Sequence, residues 1–415
     1  MGSHKQQTKE LGVIIGLCRE HAAGETRVAL TPPNIKTLIE KGQTCLVETG
    51  AGKAAGISDG DFKEVGAEIV ASSEVIFERS ELVVSIQPVS PDTSLRDAHL
   101  ARLRDGQMIA GMLDPLGESD LAKQIAERGV TSLGLEMVPR ISRAQSMDVL
   151  SSMATISGYT AVLHAASLAP RIFPMMMTAG GTLKACNVLI LGAGVAGLQA
   201  CATAKRLGAV VSAYDIRPAA SDQILSVGAK PIELELENEE AEDAGGYAKE
   251  QSADQLAKQQ AALAKVLATQ DIIITTAAVP GRRSPVLITE DMLKSVKPGT
   301  VIVDIAAERG GNCAATKAGE VINVEGVIIS GLLNLPARHP FHASQMFGNN
   351  MTTLLSHLLD DDGVLQLDFD DEIVAGTVVT HKGEVTHAMI RNILELPAMQ
   401  LGTPPAEVAD EKTGE

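Results

Sequence analysis

Tryptophan is absent from this 415-residue chain, and aromatic residues of all kinds make up only 2% of it. Its core must be filled by Ala, Val, Ile, Leu and Met, the usual contents of a parallel sheet covered by helices on both faces. Positive charge is also scarce. Lys and Arg number 35 against 52 Asp and Glu, a formal charge of −17, which argues against nucleic acid or anionic lipid as a partner, since either needs a cationic face to displace counterions. The five cysteines, Cys18, Cys45, Cys186, Cys201 and Cys313, include no C-x-x-C pair. Neither a disulfide framework nor a zinc site is indicated, and thiols in a reducing cytosol are the simpler reading. The opening "MGSHKQQTKE" lacks the apolar segment of a secretory leader and reads as a flexible start. The longest apolar stretch, Val188 to Ala204, is broken by Gln199, is rich in Gly and Ala and begins as a strand, so a membrane span is much the poorer reading of it.

What is present is β/α alternation. "GVIIG", "TCLVE", "ELVVSIQ", "QMIAGML" and "TSLGL" are separated by helical stretches, and the series restarts with "NVLILGAG", "AVVSAYD", "KPIELEL", "DIIITTA", "TVIVDIA" and "GVIIS". Such alternation predicts α/β architecture: two Rossmann-like doubly wound parallel-sheet domains separated by a cleft. In "TPPNIKTLIEKG" Thr31 suits an N-cap, Pro32 the first helical position and Gly42 the left-handed residue after the end. "MATISGYTAVLHAASL" reads as a helix leading into the second domain. The segment after about Phe341 offers a helix, an acidic turn and a short strand pair, too little for its own core, and is assigned back to the first domain. The expected division is 1–151 with 342–402, then 152–341, with a mobile tail at 403–415.

"VLILGAGVAGLQA" holds Gly192, Gly194 and Gly197 as G-x-G-x-x-G directly between a strand and a helix. The first glycine permits a tight turn, the second lets a pyrophosphate approach the backbone, and the third lets helix and strand pack closely. N–H groups at the helix start then meet the phosphate charge. Asp215 ends the following strand, where a carboxylate accepts hydrogen bonds from an adenosine ribose and repels a 2′-phosphate, favouring NAD(H) over NADP(H); Arg217 partly offsets that preference. The candidate coenzyme set is Gly192, Ala193, Gly194, Val195, Ala196, Gly197, Asp215, Ile216 and Arg217, with Thr276 and Ala277 closing "DIIITTA". Residues 236 to 254 carry an acidic run, Gly245-Gly246 and Tyr247; they read either as a solvated surface or as a flap whose glycines absorb a closing motion while the ring caps a ligand.

"PRISRAQSMDVLSS", residues 139 to 152, concentrates Arg140, Gln145, Asp148, Ser151 and Ser152 without a His, Lys or Cys. "SRAQ" matches a capping box; alternatively, Gln145, Asp148 and Ser152, spaced i, i+3, i+7, share one helical face. This segment, with "GAGVAGLQA", "GGYAKE", "VLITEDMLKSVKPGTVIVD" and "ERGGNC", resembles the NAD(H)-binding component of proton-translocating nicotinamide nucleotide transhydrogenase. "RVALTPPNIKTLIEKG" is similar to its relative alanine dehydrogenase. The likeness runs from about residue 12 to residue 380.

The resemblance implies an enzyme that passes hydride from NADH to NADP+ held on a partner beta subunit, with membrane-spanning subunits coupling the exchange to proton translocation. It implies that Arg140, Gln145, Asp148 and Ser151 hold the nicotinamide carboxamide and its ribose, and that Tyr247 folds over the nucleotide. It further implies a homodimer, peripheral to the cytoplasmic side of the inner (plasma) membrane. Direct hydride exchange needs two rings held in a near-attack arrangement and no proton carrier, which suits the cluster. An alanine dehydrogenase-like amino acid dehydrogenase is the alternative; that chemistry needs a proton acceptor and a carboxylate-binding cation, and the expected Lys is replaced by Ser85, with no His in "QMIAGMLDPL". Ser85 also departs from the transhydrogenase resemblance, whose members can keep that Lys, a change expected to be harmless to direct hydride transfer. His339 and His342 have no carboxylate or Cys in register and are expected in a loop, and methionines 175 to 177 are expected as flexible packing.

Overall fold

The computed structural model describes residues 12–90, 93–234, 253–399 and 401. Contacts divide the chain into two units, Met1–Val149 with Ser344–Glu415, and Leu150–Ala343.

The first unit opens with strands β1 (Ile14–Leu17), β2 (Thr44–Glu48), β3 (Glu68–Val70), β4 (Leu82–Val84), β5 (Met108–Gly111) and β6 (Thr131–Gly134). They pair in parallel in the order β3-β2-β1-β4-β5-β6. The order reverses at β1, so β1 and β4 flank a topological switch point. One face is sealed by Leu46, Val83, Ile109, Ile76, Phe77, Leu100, Leu121 and Ile125. Each such side chain contributes about 1.5–3 kcal/mol by leaving water. Helix Pro32–Glu40 starts as its sequence predicts, with Thr31 extended at the N-cap and Gly42 left-handed at φ 88° beyond the end. Thr31 N donates to Asn34 Oδ1 at 2.9 Å, satisfying the backbone group that precedes the first turn.

The second unit begins in helix Val149–Leu168. A β-hairpin follows, β7 (Met176–Thr178) with β8 (Gly181–Leu183), and then β9 (Asn187–Leu191), β10 (Val210–Tyr214), β11 (Lys230–Pro231), β12 (Ile272–Thr275), β13 (Val301–Asp304), β14 (Val321–Val324) and β15 (Val327–Ser330). The last seven form a sheet in the order β11-β10-β9-β12-β13-β15-β14, parallel except at β14, again with a switch beside its first strand. Val188 and Ile190 point into one core with Val211, Ile274 and Val303, while Leu189 and Leu191 join Ile273, Ile302 and Ile329 in the other. Burial on both faces is why these strands read as continuous apolar runs. The long helix lies very close to helix Val195–Arg206: a Cβ added at Gly158 would stand 2.1 Å from the Ala196 carbonyl oxygen.

Returning to the first unit, helix Pro340–Leu358 is followed by β16 (Val378–His381) and β17 (Glu384–Val385), which add two antiparallel strands beyond β6. Side chains fasten the returning segment: Ser344 Oγ accepts from Val28 N, Asn34 Nδ2 donates to Asn349 Oδ1, and Gln43 Nε2 donates to Gly363 O, each at 2.9 Å. The methionines depart from expectation. Met175, Met176 and Met177 are 59%, 45% and 75% exposed on the β7–β8 hairpin; they pack into no core, because the hairpin forms a two-stranded sheet of its own.

Two buried acids link stability to pH. Burial pushes Glu20 up to about 8, although the Ile86 and Gln87 N–H groups donate to it. Burial likewise pushes Glu136 up to about 7 against N–H donors that include those of Asp114 and Leu113. Each acid keeps its proton in the folded state where the unfolded chain, titrating near 4.5, has lost it. At these two acids the folded state then binds more protons, so their contribution to stability falls as pH rises from about 4.5 to about 8. Burial holds His99, His164, His339, His381 and His387 below the usual imidazole range, and these act in the opposite direction. Thermal unfolding of the whole chain isolates the Glu20 share: the midpoint of Glu20→Gln relative to wild type is expected to be higher by about 4 °C or more at pH 8.5 than at pH 5. A difference between variant and wild type that does not grow over that interval contradicts this role of Glu20.

Candidate functional site

Three neighbouring strands of the second unit end at one level. Leu191 pairs in register with Tyr214 on one side and Thr275 on the other. The residues that follow them, Gly192, Asp215 and Thr276, therefore leave the sheet together at its switch point, where parallel sheets place their ligands.

Gly192 turns with φ 100°, open to glycine and costly for other residues. Its N–H donates to Tyr214 O at 2.8 Å, and its carbonyl accepts from Thr276 Oγ1 at 3.1 Å. Gly194 is the N-cap of helix Val195–Arg206, and a Cβ built on it meets nothing within 4 Å. That space lies at a helix N-terminus, whose first N–H groups have no partner inside the helix. Gly197 is the opposite case, since a Cβ there would stand 1.9 Å from Gly192 O and 3.2 Å from Thr276 Oγ1. The turn thus doubles back onto its own helix. Val195 is exposed and Ala196 half-buried on the outer side.

Asp215 ties the next strand to this turn, its Oδ2 accepting from Ala193 N at 2.7 Å. Arg217 donates to the same carboxylate through N at 2.9 Å and Nε at 3.0 Å, both to Oδ1, and through Nη2 at 3.2 Å to Oδ2. Burial, the largest single influence, would raise the acid, yet the donors from Arg217 and Ala193 together hold it below the usual carboxylate range. Ile216 is half-buried between the two.

On the other flank the structure adds two residues that the sequence pattern did not single out. Asp304, fully buried at the end of β13, accepts from Thr275 Oγ1 (2.9 Å), Ala306 N (3.1 Å), Asn312 N (2.7 Å), Cys313 N (3.0 Å) and Thr316 Oγ1 (2.7 Å). Asn312 then grips Ala277 from both sides, accepting from its N–H at 2.9 Å and donating to its carbonyl at 2.8 Å. Gly310 and Gly311, at φ 92° and 80°, make this possible; a Cβ on Gly311 would lie 2.6 Å from Asp304 Oδ2. The readable signal was a strand-terminal Asp followed by "GGN".

The polar segment of 139 to 152 is not one helix. Ser142–Met147 form a 3-10 turn whose N-cap is Ile141 with no side-chain cap, so the capping box is not formed. Asp148 is extended at φ −72° and ψ 90°, and the α-helix starts only at Val149. The single face expected for Gln145, Asp148 and Ser152 is therefore interrupted. The turn is fixed otherwise: Ala144 and Met147 are buried, Arg143 pairs with Asp371, which also meets His357 Nε2 at 2.6 Å, and Asn350 Nδ2 donates to Ser146 O at 2.8 Å. Arg140 and Gln145 are exposed, Asp148 is half-buried, and Ser151 lies in the first turn of the helix. Tyr247 and most of residues 236 to 254 lie outside the described residues.

His342 sits within helix Pro340–Leu358 rather than in a loop, because the turn ends at His339, whose ring meets Tyr159 edge-on at 5.1 Å. Among the described residues no three His, Cys, Asp or Glu are grouped to hold a metal ion.

The model of the alanine dehydrogenase/PNT N-terminal domain matches residues 16–157, and that of the corresponding C-terminal domain matches 161–388. The chain belongs to the alanine dehydrogenase/PNT family. Within the family, it is 42% identical to NAD(P) transhydrogenase subunit alpha of Cereibacter sphaeroides, a match covering 90% of this chain and 71% of the relative. Alanine dehydrogenase of Bacillus subtilis is 27% identical, covering 91% and 94%. A crystal structure of transhydrogenase from Sinorhizobium meliloti superposes with a TM-score of 0.78 at 38% identity, covering 91% of this chain and 99% of that one. The similarity thus falls on the transhydrogenase side of the family.

Gly197→Ala is expected to lower stability by about 2 kcal/mol or more, because backbone atoms rather than a flexible side chain oppose the new methyl. Urea unfolding reads this out, and a wild-type midpoint would show that the turn has room to give.

Proposed function

We propose that this chain is the NAD(H)-binding subunit of a proton-translocating NAD(P) transhydrogenase, active as an oxidoreductase only with partner subunits. The observation that carries the reading is the open glycine turn at Gly194, with Asp215 leaving the adjacent strand at the same level and bonded to the turn through Ala193. Residues 192 to 197 hold the pyrophosphate on backbone N–H groups. Asp215, with Ile216 and Arg217, forms the adenosine end, and its carboxylate repels a 2′-phosphate. Thr276 and Ala277 line the other side of the turn, Ala277 held by Asn312. Arg140, Gln145, Asp148 and Ser151 orient the nicotinamide carboxamide and ribose, and Tyr247 closes over the nucleotide.

When bound, the reduced nicotinamide supplies a hydride to the nicotinamide of NADP+ carried by a separate beta subunit. The protein's own task is positioning, which accounts for a polar cluster without a proton carrier. None of the described helices is long and apolar enough to cross a membrane, so proton translocation falls to membrane-spanning subunits, with this one peripheral on the cytoplasmic side. A homodimer is part of the reading; the exposed methionines and Leu183 of the β7–β8 hairpin offer the apolar surface that a second copy would cover.

Stopped-flow mixing of the chain with its NADP(H)-binding partner is expected to show rapid hydride exchange between NADH and an NADP+ analogue. The isolated chain is expected to reduce no pyruvate in the presence of ammonia. Gly194→Ala should leave unfolding near wild type yet reduce NADH affinity at least about 10-fold, since the methyl fills the space left for phosphate. Pyruvate turnover, or undiminished NADH binding by Gly194→Ala, overturns the reading. Sedimentation equilibrium is expected to give twice the 43.4 kDa chain mass.

A further inference from the structure

The carboxylate of Asp215 is already full. An ionised carboxylate offers about four lone-pair positions, and four donors occupy them: the backbone N–H groups of Ala193 and Arg217, and Nε and Nη2 of the Arg217 side chain. The pair is sheltered, with the Asp215 side chain 8% exposed and that of Arg217 25%. A ribose diol brings two more O–H donors to the same oxygens. The backbone donors cannot withdraw, because Ala193 belongs to a turn anchored through Gly192 to Tyr214 and the Arg217 N–H sits two residues from the acid it meets. Only the guanidinium, on a rotatable stem, is able to leave.

We infer that Arg217 is an internal competitor for Asp215: adenosine enters by exchanging an ion pair for hydroxyl hydrogen bonds, so Arg217 sets both the affinity and the release rate of the nucleotide. The inference rests on the coenzyme reading given above. A charge-assisted fork is stronger than neutral hydroxyl donors, so the exchange subtracts from binding. Weaker hold is useful where a subunit releases its nucleotide in every turnover. In the nucleotide-free state the fork also keeps a sheltered carboxylate paired, sparing the cost of leaving it alone.

The test uses the whole chain, NADH fluorescence titration and stopped-flow release, with Arg217→Met to keep the bulk of the stem while removing its donors. Arg217→Met is expected to bind NADH about 3- to 10-fold tighter and release it correspondingly slower, with affinity for reduced nicotinamide mononucleotide, which lacks adenosine, unchanged. Equal or weaker NADH binding by the variant, or equal tightening toward the mononucleotide, overturns the inference. A crystal structure of the wild-type chain with NADH decides independently of how the variant folds. The diol is expected on Asp215 with Nε and Nη2 beyond about 4 Å; retention of both on the acid with nucleotide bound overturns the inference. A wild-type chain that binds no NADH defeats the coenzyme reading together with this proposal, whereas NADH binding that Arg217→Met fails to tighten defeats this proposal alone.

Discussion

The second unit is organised around one close approach, that of the Gly197 backbone to the Gly192 carbonyl. It lets the chain leave β9, reverse within a few residues and send a helix back along the sheet. With any side chain at Gly197 the helix would stand off, and the level at which Gly192, Asp215 and Thr276 emerge would be lost. The same carbonyl receives the Thr276 hydroxyl, so the strand on the far side of the switch point is fastened to the turn by the atom that demands glycine.

Around this turn the polar groups are arranged in opposite ways on the two flanks. Asp304 and Asn312 form a closed network: five donors on a buried carboxylate, and an amide that matches one backbone residue in both directions. Such a fully satisfied network fixes Ala277 through both of its backbone groups. The Asp215 flank is satisfied too, but two of its donors come from one long side chain next to solvent. One flank is closed by short-range backbone and buried side-chain groups, the other by a side chain that borders solvent.

Much of this was readable in the residues, for reasons that are local. A glycine turn between a strand and a helix, an acid ending the next strand, and Thr31-Pro32 with Gly42 about a helix all act within a few positions of themselves. The polar segment misled because its spacing satisfied a helical face, while its geometry is decided elsewhere: Arg143 is clasped by Asp371, which lies 228 residues later, and Asp148 is extended between two helical pieces. Asn312 was missed because its partners come from other connections, at Ala277 and Pro285. A strand as short as β3, three residues long, lacks enough residues to show a period. The exposed methionines mark the converse limit, since apolar composition says "buried" without saying by what.

Gly158 carries a mechanical consequence. Where the long helix crosses helix Val195–Arg206, main chain rests on main chain at Ala196, with no side chain between to rotate and absorb a displacement. The opening turn of one helix bears Ser151 and the opening turn of the other begins at Gly194. A displacement of the turn at Gly194 therefore meets the helix that carries Ser151 through backbone alone, as load passes through a keyed joint.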